Sequence, residues 1–296
     1  MRVLVTGATG FVGPAVANSI VEAGHEVRVL ERKPGSWRKA GIRCQEAVQG
    51  DMTDADSLRR AADGVDVVVH LVAIRQGRPE VFQRVMVDGT RNLLAASSGV
   101  KRFVLMSALG TTEETKDLVP YYGAKWQEEQ DVKASGLEHV IFRPSFVFGR
   151  EGGILPTFVK LAKLSPVTGI VGNGKQRIQP IWIGDVGAYF AASIDKPEAA
   201  GRTFELGGPD VVDWDELWAR IRQTLGIRRR PTMHLPTRLM RIPAMLTERL
   251  PGNIPLTRDL LTMLEAGDNA VSNDDAVRTF GLSLVPLDEQ LRRAVA

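Results

Sequence analysis

The sequence predicts an α/β protein built on a doubly wound parallel sheet, with a smaller C-terminal α/β lobe. Three observations carry that expectation. The chain opens on a short apolar, β-branched run, Val3-Leu4-Val5, the pattern of a parallel strand buried on both faces. Glycines follow at Gly7, Gly10 and Gly13, and a helical stripe then begins with Val12, Val16, Ile20 and Ala23 on one face. Strand and helix patterns alternate from there through the first half, which implies right-handed crossovers covering both faces of the sheet.

Taken in order, a helix stopped at Gly24 leads to a second strand over 26–30, and a short third strand covers 44–48. A helix over 57–62 precedes a buried fourth strand over 66–72. A long amphipathic helix over 81–97 ends at Gly99 and is followed by a fifth strand, 102–106. A helix over 122–134 stops at Gly136, and 139–142 forms a sixth strand. Beyond about residue 150 proline and glycine become frequent. Helices are expected over 154–164, 186–194 and 213–225, and a returning strand over 203–206. Asp213 and Glu216 have the spacing of a capping box. The chain divides into a dinucleotide-binding domain, 1–150, and a smaller substrate or partner lobe, 151–296, with crossings between the lobes.

Bulk composition excludes several classes. The 296 residues are 44% hydrophobic and 25% charged, ordinary values for a globular protein. A net charge of +3 with scattered basic residues gives no reason to expect nucleic acid as a partner. The triplet Arg228-Arg229-Arg230 reads as a helix end or a loop. The single cysteine, Cys44, excludes an internal disulfide, suits a reducing compartment and is expected to be a packed thiol. With the first strand starting at residue 2 or 3, no secretory signal is expected ahead of it. The longest apolar stretch, 65–74, contains Asp66 and His70 and falls far short of the roughly 20 residues that span a bilayer. The expectation is a soluble, cytoplasmic protein.

The strand, glycine turn and helix at the start form a phosphate cradle. Gly7 permits the tight turn, Gly10 lets backbone approach a pyrophosphate, and Gly13 allows close helix–strand contact. Helix N-terminal amides then face the phosphates, and Pro14 suits a first turn. Tyr121 and Lys125 lie one helical turn apart. A free phenol has a pKa of about 10, and a neighbouring ammonium favours the phenolate, as a catalytic acid/base requires. With three tyrosines in the chain the Tyr-x-x-x-Lys pattern is weak by itself; its place one loop after the fifth strand strengthens it. Asp51 is read as an acceptor for the adenine amino group with Met52 against the ring, or as a turn or N-cap residue. Leu71, Val72 and Ala73 close the fourth strand where backbone would pass the cofactor. His70 reads as a satisfied core histidine, and His25, His139 and His234 are too scattered for a metal site. At the end of strand two, Glu31 suits the ribose hydroxyls of NAD, whereas Arg32 with Lys33 suits the 2′-phosphate of NADP. Two cations beside one acid favour NADP slightly.

Longer stretches carry a resemblance. TGATGFVG at 6–13, VRVLERKP at 27–34, GDMTD at 50–54, VDGTRNLLAAS at 87–97 and GVKRFVLMSALG at 99–110 resemble an atypical short-chain dehydrogenase/reductase (SDR) family. That family is typified by the NADPH-binding accessory subunit of respiratory complex I. FRPSFVFG at 142–149, QPIWIGDV at 179–186, FELGGPD at 204–210 and PLTRDLLTMLEAGDN at 255–269 extend the likeness over nearly the whole chain. The resemblance implies a Rossmann domain with bound NAD(P)(H). Gly7, Thr9, Gly10, Phe11, Val12 and Gly13 would line the pyrophosphate, Tyr121 and Lys125 would reach the nicotinamide ribose, and Pro144 would border the nicotinamide. Arg32 matches the NADP-type arginine. One departure stands out: Leu109 occupies the position where catalytic relatives place a Ser or Thr, with Ser107 slightly early and Thr111 and Thr112 slightly late.

Two functions are therefore expected to compete. One is an oxidoreductase for a small hydroxyl or carbonyl compound, with Tyr121 as acid/base, Lys125 orienting the ribose and Ser107 or Thr111 helping; sugar-nucleotide epimerase or dehydratase chemistry uses the same parts. The other is a protein that holds NAD(P)H for structural or sensing reasons, alone or within a complex. The stretch 235–250, where Leu239, Met240, Ile242, Met245 and Leu246 interleave with Arg238, Arg241 and Arg249, either packs on the core or a pocket, or docks on a partner or a membrane surface.

Overall fold

A computed structural model describes residues 1–228, 230–247 and 257–295. Arg229 of the basic triplet, the end of the 235–250 stretch with Arg249, and Pro255 and Leu256 lie outside the described residues. In chain order the first elements are β1 (Arg2–Thr6), α1 (Gly13–Glu22), β2 (Glu26–Glu31), α2 (Ser36–Lys39), β3 (Glu46–Gln49), α3 (Ala55–Ala62) and β4 (Val67–His70). Next are α4 (Pro79–Phe82), a π-helical turn Gln83–Asp88, α5 (Gly89–Ala96), β5 (Arg102–Met106), α6 (Pro120–Ala134) and β6 (His139–Pro144). The second half contributes β7 (Val147–Phe148), α7 (Leu155–Leu164), β8 (Thr168–Val171), β9 (Arg177–Ile178), β10 (Ile181–Trp182), α8 (Ile183–Ser193) and β11 (Arg202–Leu206). Last come β12 (Val212–Asp213), α9 (Trp214–Thr224), β13 (Thr232–Leu235), α10 (Thr237–Thr247), α11 (Arg258–Glu265), α12 (Asp274–Phe280) and α13 (Leu287–Val295).

Two compact units interleave along the chain. The first takes Met1–Pro144, Ile183–Leu206 and Ser272–Ser283. Its seven-stranded sheet has the order β11-β6-β5-β4-β1-β2-β3, and every pair is parallel. Strand order reverses between β1 and β4, which in sheets of this kind marks the crevice for ligands at the carboxyl ends. Val3 pairs with Val27 on one side and Val67 on the other, so β1 is central and its apolar side chains are buried on both faces. One face packs Leu4, Leu30, Leu58, Val68, Leu105 and Ile141 into a single cluster. Across the other face α1 meets α8 closely: a Cβ at Gly187 would lie 2.8 Å from the Ala15 carbonyl oxygen.

The second unit takes Ser145–Trp182, Gly207–Val271 and Leu284–Ala296. Its two-stranded sheets β7/β10, β9/β12 and β8/β13 and the helices α7, α9 and α13 share a core that includes Phe148, Phe158, Trp214, Trp218 and Leu291. Arg230, last of the basic triplet, donates to the Ala162 carbonyl at 2.9 Å and so caps α7.

Several expected elements shift for local reasons. The fourth strand ends at His70, two residues early, because Leu71 and Val72 pass against Gly7 and no strand flanks them there. Leu71, Val72 and Ala73 thus lie just beyond the strand that they were expected to close. The third strand is Glu46–Gln49, at the sheet edge, with half-buried Cys44 before it; burial raises the pKa of that thiol. The helix expected over 81–97 is interrupted by the π-helical turn, which adds a residue per turn and so rotates α5 relative to α4. Only half of the capping box forms: Asp213 accepts from the Glu216 amide at 2.8 Å, while the Glu216 carboxylate pairs with Arg220 at 2.6 Å. On α10, Leu239 and Ile242 are 65% and 63% exposed, so these side chains are not packed on a core.

Candidate functional site

β1 delivers Thr6 to a turn that only glycine fits. Gly7 has φ +75°, and a Cβ there would lie 2.8 Å from the Leu71 carbonyl carbon and the Val72 nitrogen. The Gly10 amide donates to the Gly7 carbonyl at 3.0 Å and closes the turn. A Cβ at Gly13 would come within 2.1 Å of the Ala8 carbonyl oxygen, so the loop is drawn onto the start of α1 as tightly as backbone allows. No side chain caps that helix, whose first turn holds Pro14. Thr9, Gly10 and Phe11 form the intervening turn. A cradle that Cβ atoms would fill, ending on an uncapped helix start, fits a pyrophosphate.

At the end of β2 the Glu31 carboxylate is already engaged. It accepts from the Gly35 amide at 2.8 Å, the Ser36 hydroxyl at 2.9 Å and the Trp37 amide at 3.2 Å. Burial works to raise its pKa, and these bonds together hold it below the ordinary value. Arg32 and Lys33 are exposed. Beyond β3, Asp51 accepts from the Thr53 amide at 2.9 Å and the Thr53 hydroxyl at 2.7 Å, a turn arrangement, while the N-cap of α3 is Asp54. The Thr53 amide bond chiefly holds the Asp51 pKa low, and Arg32 and Arg84 add to it. The Met52 side chain is buried in the core cluster, against Gly89.

Tyr121 and Lys125 stand one turn apart in α6, whose helical phase puts positions 121, 125, 128 and 132 on one stripe. Lys125 is almost completely buried. Its ammonium donates to the Met106 carbonyl at 2.8 Å and the Val72 carbonyl at 3.4 Å, and pairs with Glu128 at 2.9 Å. The two carbonyls take two of the three ammonium protons, and the contact with Glu128 is an ion pair. Glu128, fully buried, also accepts from the Thr90 hydroxyl at 2.9 Å. His70 Nε2 lies 3.0 Å from that hydroxyl, and His70 Nδ1 lies 2.6 Å from the Thr6 hydroxyl. Because Thr90 spends its proton on Glu128, the network assigns the His70 proton to Nε2 and makes Nδ1 an acceptor from Thr6. Burial lowers the His70 pKa, so the ring is neutral at neutral pH. His70 is a satisfied core residue, as its apolar surroundings suggest.

Burial, and next the Glu128 charge, raise the Tyr121 pKa well above that of a free phenol, with Arg75 opposing. This departs from the expectation that Lys125 would lower it: burial of the phenol is the largest cause, and the Glu128 charge adds to it. Burial raises Tyr122 to about 12, and its hydroxyl sits against Gly110.

After β5 the Ser107 amide donates to the Phe142 carbonyl at 2.7 Å, and the Leu109 amide to the Pro144 carbonyl at 3.0 Å. Leu109 and Pro144 are buried, and neither brings a hydroxyl. The hydroxyls of Ser107 and Thr111 are both buried without a hydrogen-bond partner among the described residues. Such orphans are uncommon in protein interiors and mark atoms whose partner is a ligand or solvent.

The glycine loop, residues 71–73, Ser107, Thr111, Tyr121, Lys125 and Pro144 all belong to the first unit. Glu128 was missed from sequence. The available signal was its place on the Tyr121, Lys125, Val132 stripe: an acid at a core position of an amphipathic helix needs a buried partner.

Known proteins resemble this chain in sequence and in fold. Residues 3–207 match the NAD dependent epimerase/dehydratase family. A ceramide reductase from Caulobacter vibrioides is 28% identical over 246 residues, covering 81% of this chain and 73% of the relative. Subunit 9 of the NADH dehydrogenase [ubiquinone] 1 alpha subcomplex from Rattus norvegicus, a mitochondrial protein, is 27% identical over 306 residues, covering 98% and 79%. The crystal structure of gox2253 superposes with a TM-score of 0.80 at 25% identity, covering 99% of this chain and 96% of that one. Among the described residues no helix is long and apolar enough to cross a membrane. The chain belongs to the NAD dependent epimerase/dehydratase family, the extended branch of the short-chain dehydrogenase/reductases.

Proposed function

We propose that this chain binds a nicotinamide dinucleotide along the carboxyl ends of β1, β2 and β4 and interconverts a small carbonyl compound and its alcohol. Gly7, Thr9, Gly10, Phe11, Val12 and Gly13 hold the pyrophosphate. Asp51 and the backbone of Met52 border the adenine, residues 71–73 line the dinucleotide, and Pro144 borders the nicotinamide. When bound, the nucleotide supplies or accepts the hydride. Tyr121 exchanges a proton with the substrate oxygen, and Ser107 or Thr111 polarises that oxygen in place of the hydroxyl absent at Leu109. The observation that carries this reading is the pair of buried, unpartnered hydroxyls after β5. For Lys125 to reach the ribose hydroxyls, the 3.4 Å contact to the Val72 carbonyl is the bond it gives up. Aldehydes, ketones and sugar nucleotides screened with reduced nucleotide, each with a Ser107→Ala/Thr111→Val control, test the proposal. Turnover that the double variant leaves untouched would refute the polarising role.

NADP is the proposed preference. Glu31 is committed to Gly35, Ser36 and Trp37 and so is turned away from a 2′-phosphate, whereas Arg32 is exposed, with its charge felt at Asp51. A charged hydrogen bond contributes about 1.5–3 kcal/mol, so Arg32→Ala should weaken NADPH about tenfold or more and leave NADH nearly unchanged. Fluorescence titration of the two nucleotides reads this directly. Equal losses for both would remove Arg32 from the selector.

A second reading, a protein that holds the nucleotide without turning over substrate within a larger assembly, is favoured by Leu109 and by the buried Lys125 ammonium, already engaged by two backbone carbonyls and Glu128. Cofactor retained through purification, with no turnover across the same panel, would select it.

A further inference from the structure

The second unit carries a groove that the proposed chemistry does not use. It holds about 310 Å³, and its lining includes Arg150, Pro156, Val159, Lys160, Lys163 and Leu164. No acid lines it; Glu151, next to Arg150 in the chain, is not among the lining residues. Most of the lining comes from α7, which holds two lysines and no acid. That helix buries Leu155, Phe158 and Ala162 in the core of the unit, which turns Lys160, Leu161, Lys163 and Leu164 outward. Leu161 is 49% and Leu164 71% exposed. The Arg150, Lys160 and Lys163 side chains form no ion pair or hydrogen bond among the described residues. Other cations of the same unit are matched: Arg177 pairs with Asp268 at 2.7 Å, Arg220 with Glu216 at 2.6 Å and Lys175 with Asp213 at 3.1 Å. In the groove, two ammonium groups one helical turn apart and a guanidinium beside them repel one another, and no local acid offsets the cost.

We propose that this face of α7 docks peripherally on an anionic lipid bilayer. Arg150, Lys160 and Lys163 meet lipid phosphates, and Leu161 and Leu164 enter the boundary between headgroups and acyl chains. Two properties of the face select that occupant. Its three unmatched cations are complementary to a negative surface, and each contributes about fivefold to partitioning there. Its two bare leucines gain nothing from a small anion in water, which would cover the charges and leave the apolar side chains exposed. A bilayer surface answers both at once, as it does for basic amphipathic helices in general. The helix lies on the membrane and does not cross it, since its other face is committed to Phe158 and its core neighbours. The docking surface belongs wholly to the second unit, so it stands independently of the nucleotide and acid/base assignments in the first.

The test is cosedimentation of the whole protein with vesicles. At low salt it should pellet with vesicles of mixed phosphatidylcholine and phosphatidylglycerol, stay in solution with phosphatidylcholine alone, and be released by added salt. Lys160→Gln/Lys163→Gln should weaken binding to the mixed vesicles by about tenfold or more. Leu161→Gln/Leu164→Gln should weaken it by about tenfold. These side chains are exposed, so thermal unfolding should match the parent. Lys39→Gln/Arg60→Gln removes the same net charge from exposed positions of the first unit and should bind as the parent does. An equal loss in that control would assign the binding to net charge and overturn the proposal. Loss in Leu239→Gln/Ile242→Gln on α10, with both α7 variants unaffected, would move the surface to α10 and overturn it as well. Calorimetry with inorganic phosphate and glycerol phosphate separates the remaining source: tight binding of either, with vesicle binding indifferent to the leucine variant, makes the groove a site for a free anion. A parent protein that stays in solution with the mixed vesicles at low salt would refute docking outright.

Discussion

Tyr121→Phe is expected to lower turnover by about 10²–10⁴-fold, the usual contribution of a positioned proton donor, while nucleotide affinity changes little. The side chain that remains fills the same space at the start of α6, and the Lys125 bonds to Met106, Val72 and Glu128 do not involve the phenol. Folding should therefore be kept. The loss should fall on kcat with little change in KM, because the proton moves only as the substrate oxygen gains charge. The sign with pH is set by the raised Tyr121 pKa: the phenol is protonated throughout the neutral range, so reduction should be flat there and decline only in alkali. Steady-state kinetics on any substrate found in the carbonyl screen, beside a nucleotide fluorescence titration, check this. Activity within about twofold of the parent would assign the proton to another group.

Gly13→Ala and Gly10→Ala should separate the fold from the site. At Gly13 the new carbon would meet the Ala8 carbonyl oxygen at 2.1 Å and its carbonyl carbon at 2.3 Å, both backbone atoms that no rotamer change relieves. Overpacking of this kind costs about 1–3 kcal/mol even where side chains can yield, so Gly13→Ala should lose about 3 kcal/mol and unfold several degrees lower. At Gly10 the nearest atom is the Gly7 carbonyl oxygen at 3.2 Å, a contact that a shift of a few tenths of an ångström relieves. Gly10→Ala should therefore melt close to the parent yet bind the dinucleotide at least about tenfold more weakly, since its methyl occupies the approach to the pyrophosphate. Thermal unfolding and calorimetric titration with NADPH read the two effects. A Gly10→Ala protein that binds as tightly as the parent would place the phosphates elsewhere.

Much of this was legible in the residues. The apolar run Val3-Leu4-Val5, the glycine spacing and the strand–helix alternation beyond them are local signals, each set by backbone sterics or by the period of burial. They led to the parallel sheet, to β5 with its observed bounds, and to a helix carrying Tyr121 and Lys125 on one face. The exposed apolar side chains on α10 carry no such signal, because the same alternation of leucine and arginine fits a covered face and a bare one. The end of β4 at His70 was not legible either, since it depends on Gly7, more than sixty positions away, crossing over Leu71 and Val72.

The sequence alone determined the sheet, the glycine turn after β1 and the family, because those depend on hydrophobic period, glycine sterics and extended motif likeness within contiguous segments. Only the tertiary structure decided the electrostatics around Tyr121. The field at a buried group is a sum over neighbours from several elements, and Thr6, His70, Thr90 and Glu128 become neighbours only once β1, β4, α5 and α6 have packed. Spacing along one helix promised an ammonium that lowers a phenol's pKa, whereas packing buried the phenol and raised it.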